Sequence, residues 1–253
     1  MSELVLREDH GPVRTLVLHR PEKKNAFDPA HASAFAAALA EADADPTVRV
    51  IVVTGAGNVF CGGADVSVFL AIGAGRMEEV LPVKGVPHAI GAVKKPILAA
   101  VQGPAVGMGV TMLPYFDVVY ASTNASFVVP FVRLGLVQEF GSSWTLSRAL
   151  GRQRAAELLL RATPLDADTA ERWGLVARTF APEKLLDEVR TIANDMASAP
   201  AGALAEAKAL LRSGELERAP ADAEAAEDAA LSKRYGSPEN VQAVQAFLAR
   251  RKR

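Results

Sequence analysis

The chain has 253 residues, half of them hydrophobic, a formal net charge of −1 and a single cysteine. That size suits one large domain or a core with an accessory segment, and a charge near zero encodes no general attraction to nucleic acid or an anionic membrane. One thiol excludes an intrachain disulfide framework, and without a His-rich cluster it makes no structural zinc site. The opening "MSELVLREDHG" meets acids early and has no apolar signal core, and no uninterrupted apolar run is long enough to span a bilayer. A soluble, cytoplasmic protein is expected. The basic ending "LARRKR", Leu248 to Arg253, reads as a local patch on a solvated terminus.

Along the chain, "ELVLRE" and "VRTLVLHR" flank "DHGP" and predict a strand, a turn and a strand. In "FDPAHASAFAAALAEADAD", Asp28 is placed to cap an alanine-rich helix with Pro29 at its first position. "VRVIVVTG" is a continuous β-branched run, as a strand buried on both faces requires, and "KKPILAAVQG", "FDVVYAS" and the shorter "ASFVVP" repeat that character. "MEEVLPVKGVPHAIGAV" reads as helix interrupted by proline and glycine. From about residue 141 the pattern becomes helical, through "SSWTLSRALG", "QRAAELLLRA", "DADTAERWG" and "EKLLDEVRTIANDMASA" to two alanine-rich amphipathic stretches. Strands alternating with helices imply right-handed crossovers and an α/β core. The expected division is a core over residues 1–195 and a helical region over 196–253 that packs on the core or on a neighbouring subunit.

Two glycine-rich loops each follow a buried strand: "TGAGNVFCGGADV" over residues 54–66 and "VQGPAVGMGVTML" over 101–113. Glycine permits sharp turns and close approach of a ligand to the backbone. Asp65 is placed to cap a following helix, which leaves amides near Ala64 free, and the second loop frees amides near Met108. The dinucleotide fingerprint G-x-G-x-x-G is present only in fragments, and no phosphate loop of the form G-x-x-x-x-G-K-[ST] exists, which argues against nucleotide hydrolysis. Two converging amides instead make an oxyanion hole, where one donor is worth on the order of 100- to 1000-fold in rate.

"HRPEKKNAF", "GAGNVFCGGADV", "VQGPAVGMGV" and "FDVVYASTNASFVVPFVRLGL", in that order, with the closing "SPENVQAVQAFLARR", resemble the crotonase, or enoyl-CoA hydratase/isomerase, superfamily over nearly the whole chain. The resemblance implies a spiral of ββα units, assembly into homotrimers often paired as hexamers, and acyl-CoA thioester substrates. Coenzyme A would enter only as part of the substrate, with no permanently bound cofactor, no metal and no nucleic-acid or membrane partner. The thioester oxygen would sit between the amides of Ala64 and Met108. Lys23, Asn25 and Ala26, with Gly62, Asp65 and Val66, match the CoA-side positions. Asp65 also fits a plain helix cap.

The superfamily's hydratases handle water with two glutamates. Here the matching positions are Thr111, which is no strong base at neutral pH, and Phe131, which has no ionisable group. "PFVRLGLVQEFGSSWTL" resembles instead the peroxisomal-type enoyl-CoA isomerases and their bacterial relatives, in which the acid matching Glu139 is the catalytic base. One carboxylate would remove a C2 proton from a 3-enoyl-CoA and return it at C4. The apolar neighbours Leu136, Val137, Phe140 and Trp144 favour a raised pKa. A hydratase using Glu139 alone, or a non-catalytic acyl-CoA-binding homologue, are the alternatives, and Glu139 by itself also fits a residue that merely favours a helix start. Cys61 reads as a packing residue and His19 as non-catalytic. His88 reads as an exposed or satisfied histidine rather than a pocket residue, and Trp144 and Trp173 as core or interface.

Overall fold

The computed structural model describes residues 3–212 and 215–251, so Lys252 and Arg253 of the basic ending lie outside the described residues. β1 (Val5–His10) and β2 (Val13–Leu18) form the expected antiparallel hairpin. In α1 (Pro29–Ala44) the Asp28 side chain accepts the His31 amide at 2.8 Å and Pro29 begins the helix, as the cap pattern requires. β3 (Val50–Gly55) leads through the first glycine loop to α2 (Val66–Gly73). The proline- and glycine-broken stretch becomes a 3-10 turn at Met77–Val80, then α3 (Leu81–Lys84) and α4 (Val86–Ala92). β4 (Ile97–Val101), β5 (Ala105–Val106), α5 (Met108–Thr111), β6 (Val118–Ser122) and β7 (Ser126–Val128) complete the first half.

The second half holds α6 (Ser142–Leu150), α7 (Arg152–Arg161), β8 (Leu165–Asp166), α8 (Ala167–Trp173), β9 (Arg178–Phe180) and α9 (Leu185–Ser198). α10 (Ala201–Arg212), α11 (Glu215–Arg234) and α12 (Pro238–Arg251) follow. The all-helical reading beyond residue 141 is therefore corrected at β8 and β9. Strands of two and three residues are too short to show a period in sequence; only their partners create them.

The main sheet runs β1-β2-β3-β4-β6-β9, parallel throughout except for the first hairpin, and a small second sheet runs β5-β7-β8. β3 shows why its sequence is uniformly apolar. Ile51 and Val53 face the large core shared with α1, whereas Val50 and Val52 face Leu185, Val189 and Ala193 of α9. Both faces are covered, so neither side of the strand can be polar.

β3 and β4 are parallel neighbours with Ile51 opposite Ile97, so their C-terminal ends deliver the two glycine loops to one edge of the sheet. There the loops are joined backbone to backbone. Phe60 N–H donates to the Pro104 carbonyl at 3.1 Å and Val106 N–H to the Cys61 carbonyl at 2.9 Å. The Gln102 side chain donates to the Gly55 and Val59 carbonyls, and Asn25 donates to Ala56 and Val59. The approach is so close that a Cβ on Gly103 would stand 2.1 Å from the Asn58 carbonyl oxygen. Gly103→Ala must force the loops apart, and an overpacked contact of this kind costs on the order of 1–3 kcal/mol. Chemical denaturation is expected to show that loss; an unchanged midpoint would mean the loops yield freely.

Candidate active site

Ala64 is held by a bracket. Phe27 N–H donates to the Gly63 carbonyl at 2.8 Å, and Asp65 N–H donates to the Phe27 carbonyl at 2.8 Å. Alternate peptide groups of an extended segment point to opposite sides, so the Ala64 amide faces away from Phe27. Met108 follows Gly107, whose φ of 54° turns the chain, and it opens α5, where an amide has no partner within the helix. Among the described residues, neither the Ala64 nor the Met108 amide has an acceptor. The two sit at one corner: a Cβ on Gly63 would stand 3.7 Å from the Met108 nitrogen. Two unengaged donors on abutting loops can receive one oxygen that gains negative charge.

The residues matched to the CoA side lie together along this corner. Gly62 N–H donates to the Lys24 carbonyl at 2.7 Å, which sets the Lys23–Ala26 segment beside residues 62–65. Lys23 is exposed, Ala26 is buried and Val66 is half-buried. The buried Asn25 spends its side chain on the first loop, accepting the Arg20 amide at 3.0 Å as well as donating to Ala56 and Val59. Asp65 accepts the Ser67 amide at 2.9 Å and lies 3.7 Å from Arg20, the arrangement of a helix cap with a neighbouring cation. Cys61 is buried, and burial pushes its thiol up to about 12, which leaves it protonated and unreactive.

A cavity of about 200 Å³ opens beside Ala64. Its wall is mostly apolar, from Val68, Phe69 and Ile72 of α2 and Val80 and Val83 nearby, and Glu139 stands in that wall next to Phe140. Glu139 is half-buried, on the turn that leads from Gly135 into α6. Loss of hydration, reinforced by the negative charge of Glu227, pushes its carboxyl up to about 8, with Lys84 pulling the other way and Asp228 and Glu224 adding to the rise. A carboxyl poised near 8 can both take and return a proton close to neutral pH.

The enoyl-CoA hydratase/isomerase family profile matches residues 8–253. The chain belongs to that family. It is 34% identical over 255 residues to rat enoyl-CoA delta isomerase 2, covering 99% of this chain and 64% of that protein. It is likewise 34% identical over 254 residues to a probable enoyl-CoA hydratase of Rhizobium meliloti, covering 99% of this chain and 96% of that one. The crystal structure of an enoyl-CoA hydratase/isomerase from Pseudoalteromonas atlantica superimposes with a TM-score of 0.87 at 32% identity, over 98% of this chain and 97% of that chain. The fold is crotonase-like, and relatives of equal similarity carry the names of two different reactions.

Within this family frame Thr111 and Phe131 are informative. Thr111 is fully buried, with a hydroxyl that has no partner among the described residues, and the Phe131 ring packs 3.7 Å from where a Gly107 Cβ would be. Neither side chain carries a carboxyl, whereas Glu139 lines the cavity together with Ala64.

α11 supplies the rest of the cavity, which sequence reading missed: Glu224, Asp228, Leu231 and Ser232 line it, followed by Tyr235. Lys84 pairs with Asp228 at 2.7 Å, and the exposed His88 pairs with Glu224 at 3.1 Å. Acids spaced among alanines on an amphipathic helix look like a solvated face, and the only available hint was that Glu224, Glu227, Asp228 and Leu231 share one helical stripe. Trp144 is half-buried under the Arg148 guanidinium, 5.3 Å from its ring centre, and Trp173 is half-buried.

The raised Glu139 carboxyl links stability to pH. The folded chain keeps this proton to about 8, whereas the unfolded chain releases it near the ordinary 4.5. The neutral group's contribution is therefore complete below about 4.5 and is lost as pH rises toward 8, at up to about 1.4 kcal/mol per pH unit. Glu139→Gln removes the titration, so its stability advantage over the wild type is expected to widen between pH 5 and 8 in urea denaturation, and a constant gap would contradict the raised value.

Proposed function

We propose that the protein is an isomerase that moves a double bond within an acyl-CoA thioester, converting a 3-enoyl-CoA to the conjugated 2-enoyl-CoA. The observation that carries this reading is the Glu139 carboxyl in the wall of the cavity that also opens onto Ala64, where the two other lining carboxyls, Glu224 and Asp228, are paired with His88 and Lys84. By the family resemblance, Thr111 and Phe131 match the places of a hydratase's two acids.

In this reading the thioester carbonyl oxygen accepts the amides of Ala64 and Met108. The Glu139 carboxylate takes a proton from C2, whose acidity rises because the electrons left behind spread onto the bound oxygen and along the chain to C4. The double bond shifts to C2–C3 as the same carboxyl returns its proton to C4. No water is consumed and no group leaves, so one carboxyl and two fixed donors suffice. The apolar wall formed by Val68, Phe69 and Ile72 receives the acyl chain. The likeness to a mammalian protein named enoyl-CoA delta isomerase 2 supports the assignment. The equal likeness to a probable hydratase keeps hydration as the second reading, with Glu139 alone activating a water.

Glu139→Gln is expected to lower kcat/KM on a 3-enoyl-CoA by about 100- to 10,000-fold, followed by the absorbance of the conjugated product. A loss of only a few-fold sinks the assignment. Because the base must be ionised to accept the C2 proton, wild-type kcat/KM is expected to rise with pH until it levels off above about 8. Incubation of 2-enoyl-CoA with the enzyme is expected to leave the conjugated absorbance intact; its loss to a 3-hydroxyacyl product would favour the hydratase reading.

A further inference from the structure

The turn that carries Glu139 is conformationally expensive. Phe140 has φ 62° and Gly141 φ 64°, two successive residues in the left-handed region, and phenylalanine gains nothing by being there. Such a backbone persists only where its surroundings hold it. The Tyr115 hydroxyl donates to the Phe140 carbonyl at 2.7 Å. Ser142 N–H donates back to the Glu139 carbonyl at 3.1 Å. The strongest hold comes from Glu227 of α11, 86 residues beyond Gly141. One of its carboxylate oxygens accepts the Gly141 amide at 2.7 Å, and the other accepts the Ser143 amide at 2.7 Å.

Glu227 is 5% exposed, and both of its oxygens are engaged by backbone donors, so it is poorly placed to exchange protons with a substrate. What it offers is a fixed position and a charge. We propose that Glu227 is a positioning residue: its carboxylate clamps the amides of Gly141 and Ser143 and thereby sets where the Glu139 carboxyl stands in the cavity. The inference rests on Glu139 being the proton carrier of the reaction proposed above. It makes docking of α11, through the Lys84–Asp228 and His88–Glu224 pairs, a condition for a complete site.

The charged and titratable groups around Glu139 are Glu224, Glu227 and Asp228 of α11, Lys84 at the end of α3, and Tyr235 beyond α11. The test is Glu227→Gln in the full chain, which keeps the shape, removes the charge and sets an amide NH₂ against one backbone N–H. A displacement of the base of about 1 Å can cost about 100-fold, so kcat on a 3-enoyl-CoA is expected to fall about 10- to 100-fold with KM within three-fold. The protonated Glu139 carboxyl, assigned in the infrared by its absence from Glu139→Gln, is expected to titrate at lower pH in Glu227→Gln, because a neighbouring anion is gone. A purely structural role would lower stability without lowering kcat. A kcat within two-fold of wild type overturns the proposal. Hydrogen-exchange protection of the Gly141 and Ser143 amides, expected to fall in Glu227→Gln, needs no turnover, so a wild type inert on 3-enoyl-CoA would remove the isomerase reading while an unchanged protection would still overturn the clamp. Should Glu227→Gln fail to fold, Glu227→Asp keeps the charge and draws the clamp back by one methylene. It is expected to lower kcat, and wild-type kcat in that variant overturns the proposal.

Discussion

Abutment of two glycine loops at the C-terminal ends of β3 and β4 is the constraint from which the rest of the site follows. Parallel pairing brings Ile51 level with Ile97, and the chains leaving these strands meet with Phe60 bonded to Pro104 and Val106 bonded to Cys61. A Cβ at Gly103 could not fit against the Asn58 carbonyl. That closeness puts the Ala64 and Met108 amides at one corner, and the Phe27 bracket turns the Ala64 amide outward. In the proposed reaction, donors held this way would need no reorganisation as charge develops on a bound oxygen.

The cavity wall brings Glu139 into the same space as Ala64. Apolar side chains of α2 strip water from Glu139, and Glu227 adds a nearby negative charge, so the neutral form survives to about 8. The group's cost to folding and its proposed use as a proton carrier share one cause: a carboxyl deprived of water holds its proton more tightly. Phe140, at φ 62°, adds backbone strain at the same spot. Tyr115 and Glu227 offset that strain with three hydrogen bonds.

Much of this was legible in the residues. The buried strands announced themselves as β-branched runs, Asp28 and Asp65 cap the helices that their positions predict, and the loops over 54–66 and 101–113 stood out by their glycines. Glu139 was conspicuous as one acid in apolar company. Strands β5, β8 and β9 were not visible, because two or three residues carry no period and owe their conformation to partners far along the chain. Nor was Asn25 recognisable as a brace for the first loop, since its carbonyl partners at Ala56 and Val59 lie 31 and 34 residues away.

Local chemistry in the sequence determined which groups are available: glycines that permit close backbone approach, and one glutamate in apolar company at a turn. Those are properties of residue types and their near neighbours, so a linear reading can find them. Tertiary structure alone decided what surrounds each group. Only the folded chain brings Glu224, Glu227 and Asp228 of α11 to Glu139, more than eighty residues away in sequence, and lets Glu227 take the Gly141 and Ser143 amides. Hydration and neighbouring charge set a carboxyl's proton affinity, and both depend on what lies nearby in space rather than along the chain.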